Sequence, residues 1–130
     1  MNISEAAEKS GLTAVTLRYY ERIGLIPPVT RGNGGVRLYQ ESDLGWINFI
    51  KCMRNAGLSI ESLIEYTALF DKGTETVVAR KEILIEEQKK MEERYNELGK
   101  TLEILNKKIA HYEQEHSGEL HTQPKGAILI

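Results

Sequence analysis

Apolar residues recur at helical spacing through most of the chain, in short blocks punctuated by glycine and proline. In the first block Ile3, Ala6 and Ala7 share a face, Asn2 or Ser4 can cap it, and Ser10-Gly11 ends it, which predicts a helix of about two turns. Thr13 offers the next N-cap, and TAVTLRYYERIG runs to Gly24 before Pro27-Pro28 forbids further helix. These are two short helices joined by a glycine-containing turn, with Ala6, Ala7, Leu12, Leu17 and Tyr20 inward and Thr13, Ala14, Val15, Arg18 and Tyr19 outward. The periodicity then gives way to VTRGNGGVRLY. Here Gly32, Asn33, Gly34 and Gly35 suit the positive backbone angles of a tight connection between Val29-Thr30 and Val36-Leu38-Tyr39, a small hairpin or wing. A third helix is predicted from a cap at Ser42, striped by Trp46, Phe49, Ile50, Met53 and Ala56 and stopped by Gly57. Ser59 caps a fourth, with Leu63, Tyr66, Leu69 and Phe70 along one side and Gly73 at its end. These elements are expected to share one core.

From Thr76 to about Glu115 there is no proline and a single glycine, Gly99, and the composition turns to Glu, Lys, Leu and Ile. A helix of roughly 40 residues would span about 60 Å. Leu84, Met91, Leu98, Leu105 and Tyr112 recur every seven residues, and Tyr95, Leu102 and Ile109 follow Met91, Leu98 and Leu105 by four. That alternating spacing is a coiled-coil seam, and since the chain holds no second helix of this length, the partner expected is another copy, antiparallel or parallel. The expected fold class is all-α with a small β wing: a winged helix-turn-helix over residues 1–75, a coiled-coil dimerisation helix over 76–116 and a short tail over 117–130. The tail joins turn formers to an apolar end, and its pattern assigns it no place.

Composition narrows the function classes. Hydrophobic residues make up 41% and charged residues 28%, as in an ordinary globular chain of 130 residues with room for one domain and an appendage. No run approaches the roughly 18 apolar residues of a membrane span, and MNISEAAEKSG lacks the basic flank and apolar core of a signal peptide, so a cytoplasmic location is expected. One cysteine, Cys52, excludes an intrachain disulfide and a thiolate-rich zinc site. The net charge of -2 hides an asymmetry. Residues 1–58 carry seven Lys and Arg against five acids, a net of +2, and the remainder carries ten against fourteen, a net of -4. Four arginines fall between Arg18 and Arg37 with only Glu21 opposing them, so an anionic partner is expected there.

A short helix presenting a hydroxyl, small apolar groups and an arginine suits the DNA major groove: arginine reaches guanine acceptors or a phosphate, and Val15 or Ala14 can touch a thymine methyl. Tyr19 can donate to a phosphate oxygen, and Arg31, Arg37 and Tyr39 add donors on a projecting loop. Beyond these readings, TLRYYERIGLIPP followed by R-x-N-G-x-R-x-Y strongly resembles the N-terminal winged helix-turn-helix of the MerR family of bacterial transcription regulators, and the likeness continues through KCMRNAGLSIESL into the long helix. The resemblance implies a homodimer held by an antiparallel coiled coil and two winged domains on a palindrome in an over-long promoter spacer. It also implies activation by bending and untwisting double-stranded DNA, so that RNA polymerase meets both promoter elements. It further implies DNA contacts at Thr13, Thr16, Arg18 and Tyr19 of the recognition helix and at Arg37 and Tyr39 of the wing, with Arg22 and Arg31 behind them.

No cofactor is expected. Metal-sensing members of that family carry cysteines at the end of the dimer helix, where this chain has none, and His111 and His116 are five residues apart, off the spacing that puts two ligands on one helical face. Drug-sensing members append a large ligand-binding domain, for which the fifteen residues after Glu115 are too few. Cys52 remains, between Lys51 and Arg54, where cations favour the reactive thiolate and an aldehyde or quinone could add. A buried cysteine at the edge of the apolar stripe is the opposing reading. The run KCMRNAGLSIESLIEY resembles the branch of the family that responds to aldehydes and thiol stress, which implies Cys52 as the sensor. Trp46, Phe49 and Tyr66 read as core between two helices ahead of a ligand cage. Three alternatives compete with a promoter-binding regulator switched at Cys52. A thiol-dependent enzyme would need a base, and no histidine precedes His111. An adaptor or architectural protein could bend DNA without controlling polymerase. A regulator could also sense a noncovalent ligand at the coil ends.

Overall fold

The computed structural model describes residues 1–116, so the tail, 117–130, lies outside the described residues. Helix α1, Ile3–Ser10, begins at Asn2, whose side chain accepts from the Glu5 N–H at 2.9 Å while the Glu5 carboxylate accepts from the Asn2 N–H at 3.1 Å. This reciprocal pair satisfies two N–H groups that a helix start otherwise leaves without partners. Helix α2, Ala14–Arg22, is capped by Thr13, whose Oγ1 accepts from the Thr16 N–H at 3.1 Å. Strands β1, Thr30–Arg31, and β2, Arg37–Leu38, pair antiparallel with Thr30 opposite Leu38 and Arg31 opposite Arg37. The loop between them carries positive φ only at Gly34 (72°) and Gly35 (77°), with Asn33 and Gly32 in ordinary regions. A Cβ at Gly32 would stand 2.8 Å from the end of the exposed Leu38 side chain, which would have to move aside for a larger residue.

Helix α3, Glu41–Asn55, is capped at Gln40, two residues before the expected Ser42: Asp43 accepts from the Gln40 N–H at 2.8 Å and so closes the first turn there. Its buried stripe is Leu44, Ile47 and Ile50, which displaces the expected stripe of Trp46, Phe49 and Met53 to the flank. Helix α4, Ile60–Asp71, is capped by Ser59 and buries Leu63 and Thr67. Phe70, expected in the core, is exposed. Thr67 replaces it at low cost because its hydroxyl is satisfied, donating at 2.9 Å to the Leu25 carbonyl and at 3.0 Å to the Leu63 carbonyl.

The core is built from Ala6, Leu17, Leu25, Ile26, Tyr39, Ile47, Ile50 and Leu63, each at most 2% exposed. Ala7 and Leu12, expected inside with them, are half-buried. Lys51 donates to the Ser10 carbonyl at 2.7 Å and so ties α3 to the turn between α1 and α2. Helix α5, Val77–His116, runs 40 residues, about 60 Å at 1.5 Å per residue. The chain divides within α5 into compact units at Met1–Glu87 and from Gln88 onward. The first turns of α5 belong to the first unit: the Arg80 guanidinium lies 5.2 Å from the Phe70 ring centre, and Glu87, 6% exposed, accepts from the Ser62 hydroxyl at 2.7 Å. No helix among the described residues is long and apolar enough to cross a membrane.

Candidate nucleic-acid interface

Helix α2 buries Leu17 and Tyr20 and turns the residues between them outward, the consequence of a 3.6-residue period over nine residues. Thr13, Val15, Arg18, Tyr19 and Arg22 are exposed, Val15 at 72%, and Thr16 is half-buried. Thr13 Oγ1 also donates to Thr16 Oγ1 at 3.0 Å, so the cap and the next turn share one hydroxyl pair at the helix start. Val15, Thr16, Arg18, Tyr19 and Arg22 line a shallow depression of about 380 Å3. The Arg22 guanidinium stacks on Tyr19, 5.5 Å from the ring centre. Arg18 has no hydrogen-bond or ion-pair partner among the described residues, which leaves its five donors for a ligand.

The wing adjoins this helix through Glu21. Its carboxylate accepts from the Val29 N–H at 2.8 Å, from Arg37 Nε at 2.7 Å and from an Arg31 terminal nitrogen at 3.4 Å. Burial alone would raise the Glu21 pKa. The hydrogen bonds from Arg37 and Val29 and the charges of Arg31 and Arg37 outweigh it and hold the carboxyl below its usual value. Arg31 also donates to the Gly35 carbonyl at 3.2 Å, bracing its own loop. Sequence reasoning noticed Glu21 only as the one acid among four arginines and missed this role. The signal was that isolation itself, since an acid kept inside a basic cluster has several cations to satisfy.

Tyr39 does not project from the wing as expected. It is 1% exposed, burial raises its pKa, and its hydroxyl has no hydrogen-bond partner among the described residues. The reason is strand alternation at the end of β2: Leu38 faces out, so Tyr39 faces the core, where its N–H donates to the Met1 carbonyl at 2.7 Å.

Cys52 is exposed on α3, against the reading of a buried thiol. The two cations beside it in sequence are engaged elsewhere, Lys51 with the Ser10 carbonyl and Arg54 with the Leu58 carbonyl. Trp46, Phe49, Tyr66 and Phe70, with Ser42 and Gly45, line an open cleft of about 300 Å3, with Trp46 edge-on to Phe70 at 5.0 Å between ring centres. The aromatic group is therefore an open surface feature and not closed core. Along α5, Leu84 and Met91 are half-buried, whereas Tyr95, Leu98, Leu102, Leu105, Ile109 and Tyr112 are all more than half exposed. Among the described residues no three His, Cys, Asp or Glu side chains are grouped as metal ligands would be. His111 stands 4.0 Å from Glu115.

Residues 1–69 match the family of MerR HTH family regulatory proteins. The chain is 64% identical over 91 residues to the HTH-type transcriptional regulator AdhR of Bacillus subtilis, a match covering 70% of this chain and 65% of AdhR, slightly under two thirds of that relative's length. Among solved structures, a MerR-family regulator from Listeria monocytogenes superposes with a TM-score of 0.85 at 50% identity, over 87% of this chain and 86% of that one. HiNmlR, a MerR-family regulator lacking the sensor domain and crystallised on promoter DNA, superposes with a TM-score of 0.79 at 30% identity, over 89% of this chain and 92% of its own. These relatives are transcription regulators, which sets aside the thiol-dependent enzyme. With the wing, the helix pair and the long fifth helix all in place, the chain belongs to the MerR family of helix-turn-helix regulators.

Proposed function

We propose that the chain works as a homodimeric promoter-binding regulator, with α2 in the major groove, the wing on the sugar-phosphate backbone, and the exposed seam of α5 covered by a second copy. The observation that carries this reading is the face of α2. A free arginine, an exposed valine and a hydroxyl pair stand on one short helix whose next turn is joined to two wing arginines. Arginine and valine serve different base edges, and the wing supplies phosphate donors beyond them. The DNA-bound state of HiNmlR supports the same placement. In it Thr13, Thr16, Arg18, Tyr19 and Arg37 face DNA, while Tyr39 acts from beneath by seating the wing.

Regulation in this reading comes from DNA geometry. Bending a promoter site costs on the order of 1–6 kcal/mol, so an effector need only shift the balance between two protein–DNA arrangements for polymerase to engage both promoter elements. Exposure makes Cys52 the accessible thiol for an electrophilic effector. Its sulfur adds to an aldehyde carbonyl carbon, and the carbonyl oxygen takes up a proton to give a hemithioacetal. The 64% identity to AdhR supports a common effector class.

The test is run-off transcription from the promoter nearest the protein's own gene, with and without an aldehyde, using the natural protein and Cys52→Ser. Aldehyde-dependent activation that disappears in the variant is expected. Activation that survives would move the effector to a noncovalent site. Binding without any change in transcription would leave an architectural DNA-bending protein.

A further inference from the structure

We propose that Glu21 is a positioning residue for the wing: from the last turn of α2 it sets where Arg37 stands, and so which phosphate the wing grips. The inference rests on the reading of α2 and the wing as a DNA-binding surface. A hairpin with two residues per strand cannot hold its own pose, because so short a ladder is marginal without outside support. Glu21 supplies that support at three points, the Val29 N–H just before β1, Arg31 on β1 and Arg37 on β2. Its side chain is 11% exposed, and the bonds to Arg37 and the Val29 N–H are partly buried and charge-assisted, whereas the one to Arg31 is open to solvent.

The two arginines are used differently. Arg31 gives one terminal nitrogen to Glu21 and the other to the Gly35 carbonyl, so it is committed to bracing the loop. Arg37 gives Glu21 its Nε–H, and both terminal nitrogens stay free of partners among the described residues. Those two nitrogens carry four of the five guanidinium donors, the edge that matches two phosphate oxygens at once. A carboxylate on Nε thus fixes the guanidinium plane and leaves its phosphate-binding edge available. Since Glu21 lies one helical turn past Arg18, its carboxylate links the helix that carries Arg18 directly to Arg37 on the wing.

The experiment is a double-mutant cycle on the full chain. Glu21→Ala, Glu21→Gln, Arg37→Ala and the double variant Glu21→Ala with Arg37→Ala are titrated against the promoter duplex and a scrambled duplex across a range of salt. Glu21→Ala is expected to weaken promoter binding about tenfold while scrambled-duplex binding holds or rises. For each phosphate the released arginines gain, the slope of log K against log salt on the scrambled duplex should steepen by about 0.9. In the Arg37→Ala background the Glu21 effect on the promoter should shrink well below tenfold, because its main route to DNA is gone and only the contacts to Val29 and Arg31 remain. Glu21→Gln keeps the size and one acceptor, guards against a folding defect, and should fall between the wild type and Glu21→Ala. Additive effects in the cycle, or equal losses on both duplexes, would overturn the proposal and leave Glu21 a contributor to stability alone. Failure of the underlying reading is separately visible, as Arg18→Ala would then bind the promoter like the wild type.

Discussion

Leu98 offers the sharpest test of assembly. It is 69% exposed in the single chain and lies on the seam between Tyr95 and Leu102. Fully burying a leucine side chain is worth about 1.5–3 kcal/mol, so the surface still open at Leu98 makes about 1 kcal/mol or more available to a partner. In a two-fold symmetric dimer the residue counts twice, and Leu98→Ala should cost about 2 kcal/mol, or about 30-fold in the dimer Kd. Ile104 is an internal control: it is 63% exposed, similarly apolar, and two residues past Leu102, off the seam. Sedimentation velocity over a dilution series reads both constants. Ile104→Ala should dimerise like the wild type while Leu98→Ala dissociates at higher concentration. Equal weakening by the two, or none from Leu98→Ala, would show that the seven-residue repeat does not mark the interface.

Three further outcomes follow from the same geometry. Arg18→Ala should lose about 1–3 kcal/mol of discrimination between promoter and scrambled duplex if the guanidinium reads a base, and should weaken both alike if it grips a phosphate; gel-shift titration of the two duplexes separates these cases. Thr67→Val keeps the shape but strips the buried Leu25 carbonyl of its hydroxyl donor, so the denaturation midpoint should fall by the equivalent of about 1–3 kcal/mol with the denaturant slope unchanged. For pH, Glu21 faces Arg31 and Arg37 on the wing and interacts with the Tyr39 hydroxyl. Its folded pKa is lowered, so the stability it contributes is present above the ordinary glutamate range near about 4.3 and is lost as pH falls through the lower folded value. Thermal melts of the wild type and Glu21→Gln should therefore converge as pH drops below that range, and a gap that persists there would contradict the ion-pair account.

Helix boundaries were the most legible part of the structure, because caps and stops are local. Thr13 and Ser59 cap α2 and α4 as read, and the long helix begins at Val77, one residue beyond the expected Thr76. The exception, the start of α3, arose because Ser42 looks like a cap in isolation, whereas Asp43 reaches back to the Gln40 backbone. The exposed face of α2 was legible for the same reason: a nine-residue helix with Leu17 and Tyr20 inside must turn Val15, Arg18 and Tyr19 out. The family was equally open to reading from TLRYYERIGLIPP and the wing.

What the amino-acid order determined unaided was therefore everything set by period and by caps: the helix pair, the wing, the basic first half and the length and seven-residue apolar repeat of α5. Tertiary structure decided which apolar groups are core, since burial depends on neighbours distant in sequence. Trp46 and Phe49 yield to Leu44 and Ile47, Phe70 yields to Thr67, and Tyr39 turns in beside Met1. It also decided the pairing of charges. Lys51 and Arg54 adjoin Cys52 in sequence but spend their donors on the Ser10 and Leu58 carbonyls, while Glu21 gathers Arg31 and Arg37 from ten and sixteen residues away. Coulombic and hydrogen-bond energies depend on distance in space, and that distance exists only once the chain has folded.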